Sequence, residues 1–495
     1  MRVLLVYSLR SGLSLRQPLE SLGDIHIGLS YVSAHLKSQG HSTRLVVLSN
    51  ERASRGLSLL KAAVVEFDPQ LVGFTAVTTQ YPFIVAAARQ LKQLWPGKFL
   101  ILGGTHASLE PDEAIADSFD AVCVGEGELP AAELAKQMES GQSPRGIPNL
   151  WIKQAGGTVE KNPTRNFLTK LEQLPFPDRE MWHDWVMQRP RTRHVVLPSR
   201  GCPYNCSYCS NHALRKVAPG QYVRLRAPAN ILQEIQQLKQ RDPETTNIHL
   251  ESETIAMNFD WLNELTERIR VFNDQPDKKI SFSCNFRVAR PFLKDQVFGA
   301  LERANVRTIS IGLESGSERI RREVLRRPYS NEDFFQAVAL ARRHQMNVTV
   351  LNMIGLPGET LADHMETVEV NRRVCPDRSS TSIFYPYPGT DLFGACKAQG
   401  LLTAGNVTAE RRCATLDSPK FRKTEVQRAY DWFEYRVYRG HRPFHFRLLK
   451  VLRNKGARHA WGDVAFLRLL ALWHTLRDRK PMKTIPAVLN GARSA

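Results

Sequence analysis

No stretch of this 495-residue chain sustains the roughly 18 uninterrupted apolar residues that a membrane-spanning helix needs, so none is expected. The first residues, Met1-Arg2-Val3-Leu4-Leu5-Val6-Tyr7, hold one charge and an apolar run too short for a secretory signal. They read as a buried first strand. Cysteine is sparse: eight residues, at 123, 202, 206, 209, 284, 375, 396 and 413. Only three are clustered, which excludes a disulfide framework and points to reduced thiols in a cytoplasmic compartment. No internal repeat or low-complexity tract stands out. Acidic residues are outnumbered, 49 against 68 Lys and Arg, for a net charge of +19. The excess is uneven: from Arg411 onward there are 20 Lys and Arg against 6 Asp and Glu, so this region carries about +14 of it.

The informative presence is Gly201-Cys202-Pro203-Tyr204-Asn205-Cys206-Ser207-Tyr208-Cys209. Three thiolates spaced C-x3-C-x2-C can hold three irons of a [4Fe–4S] cluster and leave the fourth open. The competing reading is a zinc knuckle. Structural zinc usually takes four ligands from paired C-x2-C units, and no second pair exists. His194-Val195-Val196-Leu197 just before reads as a short buried strand. The cysteines therefore fall in the loop leaving a strand, where α/β folds place their chemistry.

Residues 1–145 alternate short apolar runs (Val3–Tyr7, Thr43–Leu48, Leu71–Thr75, Phe99–Leu102, Ala121–Val124) with amphipathic segments. That pattern predicts a five-stranded, doubly wound, flavodoxin-like (Rossmann-like) α/β domain. Residues 146–190 are proline-rich with little periodicity and read as an extended linker. A second β/α alternation fills 191–405, with strands near 194–198, 247–251, 280–284, 307–313, 348–353 and 381–385, which suggests a partial (β/α)6 barrel. Residues 406–495 read as a helical basic region. There Phe444 to Arg453 and Val464 to Leu476 mix apolar and cationic residues, as a membrane-interface helix or a cap on the barrel would.

The cysteine loop, with aromatic Tyr208 before the last cysteine, resembles the signature of the radical SAM enzymes. Ile309-Ser310-Ile311-Gly312-Leu313-Glu314-Ser315-Gly316-Ser317, Met353-Ile354-Gly355-Leu356-Pro357-Gly358-Glu359-Thr360 and Tyr385-Pro386-Tyr387-Pro388-Gly389-Thr390 resemble that family's fourth, fifth and sixth barrel strands and their turns. The resemblance covers roughly 190–400. It implies that Cys202, Cys206 and Cys209 ligate the cluster and that the open iron binds S-adenosylmethionine. Reductive cleavage would then yield a 5′-deoxyadenosyl radical, with the electron from an external flavodoxin- or ferredoxin-type reductant. It further implies Tyr208 near the adenine, Glu251 and Glu253 near the ammonium, and Arg287 near the carboxylate. Glu314 and Ser315 would meet the ribose, and Gly355 and Gly358 would form the turn beneath the adenine. Tyr385 and Tyr387 are candidates for the substrate pocket. The Gly-Gly-Glu type segment usual in the family is replaced here by Glu251-Ser252-Glu253.

In the first domain, Gly28-Leu29 opening a helix, Leu102-Gly103-Gly104-Thr105-His106 and Val124-Gly125-Glu126-Gly127-Glu128 resemble, in that order, the cobalamin-binding domain ahead of many radical SAM barrels. Thr75, Thr78, Gly103, Gly104, Gly125 and Gly127 are then ligand-side candidates, since the turns at one edge of a doubly wound sheet share a crevice. Asp24-Ile25-His26-Ile27-Gly28 is one residue short of the D-x-H-x-x-G cobalt-ligating motif, so His26 reads as a helix-entry residue and His106 as a turn hydrogen-bonder. A domain that kept the fold and lost the ligand is the alternative. The combined resemblance implies methyl transfer from methylcobalamin to an unactivated carbon. Alternatives are an oxidative cyclase or rearrangement enzyme, a methylthiotransferase, and a non-enzymatic metal-knuckle binding protein. Methylthiotransferases usually carry further cysteines in the first domain, which here has only Cys123, so nucleic acid is not an expected partner. The basic C-terminal region leaves an anionic small-molecule or lipid-linked substrate, or peripheral contact with an anionic membrane, as candidate partners.

Overall fold

Strands β1 (Arg2–Leu9), β2 (Ser42–Ser49), β3 (Leu71–Thr75), β4 (Phe99–Gly103) and β5 (Ala121–Cys123) pair in parallel in the order β2-β1-β3-β4-β5. The structure is a computed structural model and describes residues 1–10, 17–50, 53–275, 279–402 and 410–456. This order is the flavodoxin-like one, with helices on both faces. Both faces of such a sheet are covered, so its strands are near-continuous apolar runs; β3 is buried at every position.

The sheet does not stop at five strands. β6 (Leu150–Lys153) pairs antiparallel with β5, and β7 (Val159–Lys161) antiparallel with β6. The expected linker therefore begins as a hairpin. Its turn signal is Gly156-Gly157, both at positive φ (97° and 85°), and the strands of four and three residues are too short to show alternation. The rest of 146–190 is a packed strap rather than a spacer. Trp182 is fully buried and donates from Nε1 to Ser30 Oγ at 2.7 Å. Arg179 and Arg226 both reach the buried Glu234, each at 2.5 Å, so this carboxylate ties the strap to the next domain.

That domain is a six-stranded parallel sheet: β8 (Arg193–Val196), then β11 (Asn247–Leu250), β12 (Ser281–Phe286), β13 (Val306–Glu314), β14 (Asn347–Ile354) and β15 (Arg378–Ile383), side by side in chain order. Between β8 and β11 lies a short antiparallel hairpin, β9 (Ser199–Arg200) with β10 (Arg224–Leu225). Among the described residues β8 and β15 do not pair, so the barrel is partial. Strand residues such as Phe282, Ile309, Ile311 and Val350 pack with Ile235, Leu265, Phe298 and Phe334 from the outer helices in one core. Beyond β15, helix Lys423–Val437 packs onto the barrel and helix Phe444–Gly456 packs onto it in turn. The latter buries only Val451 and Asn454, while Phe444 and Leu452 stay exposed. The Val464 to Leu476 stretch lies outside the described residues. Among the described residues, no helix is long and apolar enough to cross a membrane.

Candidate active site at the junction of the two sheets

The cysteine loop leaves β9 through Gly201, at φ +83°. A Cβ there would lie 2.2 Å from Tyr222 O, so only glycine lets the loop pass this backbone. Cys209 N–H donates to Cys206 O at 3.1 Å, closing a turn before helix Ser210–Leu214. Cys202 and Cys206 are buried and Cys209 half-buried, all as free thiols. Burial raises the Cys202 thiol and pushes Cys209 up to about 12. Desolvated thiols such as Cys202 and Cys209 resist ionisation unless a positive centre compensates them. Iron supplies such charge, so the donor set fits a cluster. Among the described residues no three His, Cys, Asp or Glu side chains converge as a single-ion site requires; a cluster instead asks for one thiolate per iron.

Around the loop, Arg287 at the end of β12 donates from Nη1 to Cys206 Sγ at 3.0 Å and stacks 3.6 Å over the Tyr204 ring. Its Nε is buried without a partner. Glu253 carries a carboxyl raised by burial, with Asn211 as its hydrogen-bond partner. Glu251, nearer solvent, accepts from Asn285 Nδ2 at 3.2 Å and lies 3.2 Å from His249 Nε2. Tyr208 is pinned from behind: Arg327 Nη1 donates to its hydroxyl at 2.9 Å and to Glu314 Oε1 at 2.8 Å, while Arg327 Nη2 donates to Gly312 O at 2.9 Å. Glu314 sits at φ +63°, a conformation that a non-glycine residue holds only under such restraint.

Ser315, expected at the ribose, is wholly buried; its Oγ accepts from Ser317 N–H and lies 3.5 Å from Thr367 Oγ1. Its hydroxyl therefore belongs to the packing of helix Leu361–Val374, and Glu314 is the member of the pair beside Tyr208. Gly355 and Gly358 take positive φ at the end of β14. The carboxylate that shapes their turn is Glu359, which accepts from Gly355 N–H at 2.6 Å and Leu356 N–H at 3.0 Å; burial pushes it up to about 8. Neither Arg327 nor Glu359 figured among the sequence candidates, although Glu359 lies within the quoted glycine segment.

In the first domain a cavity of about 280 Å³ opens between the sheet and the helices following β1 and β5. Its floor is apolar (Val3, Leu5, Leu71 and Ile101), and Gly73 keeps it thin. Thr75, Gly103, Gly104, Gly125 and Gly127 line its mouth. A Cβ on Gly104, at φ +94°, would sit 2.7 Å from Thr75 Oγ1 and 2.8 Å from Ala76 O. A glycine-walled apolar slot at the C-terminal edge of a parallel sheet fits a flat ring system with a tail, as cobalamin has. Thr78 does not line this slot; its hydroxyl lies 3.4 Å from His106 Nδ1. His106 stacks on Tyr81 at 3.9 Å, and burial holds its ring at about 4. His26 lines the slot but caps its helix: Nδ1 accepts from Leu29 N–H at 3.0 Å, which leaves the ring proton on Nε2.

A second cavity, of about 320 Å³, adjoins the first. The two share His26, Thr75, Gly104, Gly125, Glu126 and Arg200, and the second continues to Gly201 and Tyr222 beside the cysteine loop. The junction is held by charge. Arg200 donates from Nη1 to Glu126 at 3.0 Å and from Nη2 to Glu128 at 2.6 Å; Arg224 Nη1 reaches both Glu126 oxygens at 2.9 Å. Burial raises the Glu126 carboxyl, but Arg200 and Arg224 outweigh it and hold it below the usual range. The glycines of this turn were legible as a ligand wall; its two glutamates, which clasp the barrel's first hairpin, were not. Higher up, Thr79 Oγ1 donates to Glu410 at 2.5 Å, and Tyr387, stacked edge-on against Tyr385 at 4.9 Å, also reaches Glu410.

Residues 196–370 match the radical SAM superfamily, and residues 20–135 match the B12 binding domain. The chain is 26% identical to an uncharacterised methyltransferase of Pyrococcus horikoshii, over 79% of this chain and 82% of that protein. It is 25% identical to the anaerobic magnesium-protoporphyrin IX monomethyl ester cyclase of Rubrivivax gelatinosus, over 74% of this chain and 65% of the cyclase. Among solved structures it shares its fold with the radical S-adenosylmethionine methyltransferase TsrM of Kitasatospora setae, determined with cobalamin and a [4Fe-4S] cluster. The TM-score is 0.63, at 18% identity, covering 88% of this chain and 86% of TsrM.

Proposed function

Since the chain belongs to the radical SAM superfamily and carries a B12-binding domain ahead of its barrel, we propose that it is a cobalamin-dependent C-methyltransferase acting on an unactivated carbon. The observation that carries this reading is the pair of joined cavities leading from the glycine-walled slot to the cysteine loop. Two cofactors that must act on one substrate have to share a chamber, and a separate ligand-binding domain would not need one.

Cys202, Cys206 and Cys209 would hold the cluster, and the slot behind Thr75, Gly103, Gly104, Gly125 and Gly127 would hold the corrinoid. When bound, the cluster supplies the electron that opens S-adenosylmethionine, and the corrinoid supplies the methyl group. The chain's own residues orient and seclude. Arg287 places a positive charge against Cys206 and toward a carboxylate. Glu253 and Glu251 offer oxygens to an ammonium. Arg327 fixes Tyr208 and Glu314 as one wall, and the Glu359-braced turn forms another. The clasp of Arg200 and Arg224 on Glu126 and Glu128 closes the junction against water, which a carbon-centred radical requires. A flavodoxin- or ferredoxin-type protein would deliver the electron, and the basic C-terminal region favours an anionic or lipid-linked substrate.

The second reading, an oxidative cyclase, draws on the likeness to the Rubrivivax gelatinosus enzyme. Product analysis separates the two. Protein reconstituted anaerobically with iron, sulfide and hydroxocobalamin is supplied with reductant and S-adenosylmethionine. S-adenosylhomocysteine formed together with 5′-deoxyadenosine supports methyl transfer. 5′-deoxyadenosine alone supports the cyclase. Neither product refutes both.

A further inference from the structure

Helix Phe444–Gly456 keeps most of its apolar side chains out of the core; only Val451 and Asn454 are buried along it. Leu448, Leu449 and Leu452 recur at the three- and four-residue spacing that puts side chains on one side of a helix. Leu452 is 54% exposed, Leu448 and Leu449 are half-buried, and Phe444, where the helix begins, is 59% exposed. Among the described residues none of these four joins a hydrophobic core cluster. The same surface is short of acid. From Arg436 onward there are 14 Lys and Arg against two acidic side chains, Asp463 and Asp478. Lys450 and Arg453 are held by Glu434, at 3.2 and 3.1 Å. Arg439, Arg442, Arg447 and Lys455 form no ion pair among the described residues. Three of them lie over rings instead: Arg442 over Tyr438, Arg447 over Tyr435 and Lys455 over Trp432. A ring face holds a cation without cancelling its charge.

We propose that this helix is a docking surface for an anionic lipid bilayer. It lies in the interface plane, with Leu448, Leu449 and Leu452 toward the acyl region and the unpaired cations among the headgroups. Two features have to be met at once, an apolar stripe and a surplus of positive charge beside it. Nucleic acid would meet the charge but gains nothing from exposed leucines. A second copy of the chain would cover the leucines only by pressing two positive surfaces together. An anionic bilayer meets both, since it buries apolar surface and its negative potential attracts the cations. Trp432 and Tyr435, half-buried beside Phe444, add side chains with one apolar and one polar end, which favour such an interface. The helix lines neither cofactor cavity, so the inference stands whether or not the enzyme transfers methyl groups.

The test is flotation of the reconstituted full chain with vesicles of phosphatidylcholine alone and of phosphatidylcholine containing a minor fraction of phosphatidylglycerol. Anisotropy of a labelled RNA duplex runs in parallel. Flotation with the anionic vesicles only is expected, and it should fall as salt rises. Arg439→Gln with Lys455→Gln removes two exposed, unpaired cations and should weaken flotation about tenfold or more, each cation near an anionic surface being worth roughly fivefold. Leu452→Gln removes an exposed apolar side chain at constant charge and should weaken it several-fold. The corresponding changes on the first domain, Arg55→Gln with Lys61→Gln and the 70% exposed Val65→Gln, should leave it unaltered. No flotation, flotation with both kinds of vesicle alike, flotation indifferent to Leu452→Gln, or equal weakening by the first-domain variants overturns the proposal. RNA binding without flotation overturns it in favour of a nucleic-acid surface.

Discussion

Arg200→Ala tests whether the two domains are joined by the charge clasp. Arg200 and Glu128 meet at 2.6 Å with side chains 14% and 7% exposed, and Glu128 has no other ion pair among the described residues. At such burial an effective dielectric near 20 gives a gross attraction of about 6 kcal/mol at that range. Desolvation cancels much of it. Removing Arg200 alone leaves the Glu128 carboxylate buried and unpaired, which costs about 3–5 kcal/mol. Glu128→Ala alone should cost less, because the more exposed Arg200 keeps Glu126 as a partner. The double variant should recover the difference, with a coupling of about 2 kcal/mol, within the range for groups in one network. Urea titration of the cofactor-free chain, followed by tryptophan fluorescence, reads all four corners of the cycle. A coupling below about 0.5 kcal/mol would refute the reasoning, since the contact would then hold nothing together.

Cys206→Ala should abolish 5′-deoxyadenosine formation while the chain still retains cobalt after desalting; product chromatography and metal analysis read the two separately. Gly104→Ala puts a Cβ 2.7 Å from Thr75 Oγ1 at φ +94°, so it should destabilise by more than about 1 kcal/mol and lower cobalamin retention, measured as cobalt per chain. His106 protonates at about 4 in the fold against 6.5 ordinarily. The unfolded chain therefore takes up the proton first as pH falls. Stability should drop as pH goes from 6.5 toward 4, with no His106 contribution above that window; denaturation midpoints across pH should show this slope, and His106→Gln should flatten it. Glu126, held low by Arg200 and Arg224, stabilises the fold above the ordinary carboxylate range and loses this contribution as pH falls through its lowered value, so Glu126→Gln should remove stability at neutral pH and leave less acid sensitivity.

Much of the architecture was readable from local pattern. Short runs of four to seven residues separated by amphipathic segments marked both parallel sheets: in the first the strands are near-continuous apolar runs because both faces are covered, while barrel strands such as β12 and β14 alternate buried with less buried positions. The hairpin of β6 and β7 escaped because its strands are shorter than the two-residue period needs to declare itself. The burial of Ser315 has a related reason: one step along the chain turns a side chain from Arg327 and Tyr208 to the packing of helix Leu361–Val374, and sequence alone does not reveal which member of Glu314-Ser315 turns which way.

The amino-acid sequence by itself determined the chemistry. Three cysteines within eight positions, and glycines at strand ends where no Cβ can stand, are local requirements, and local requirements leave a local signature. Tertiary structure alone decided how the parts join. The clasp of Arg200 and Arg224 on Glu126 and Glu128 and the bracing of Tyr208 by Arg327 both unite residues from distant parts of the chain. Charge has no periodicity to read; a glutamate becomes a clasp only when folding removes the water that would otherwise screen it.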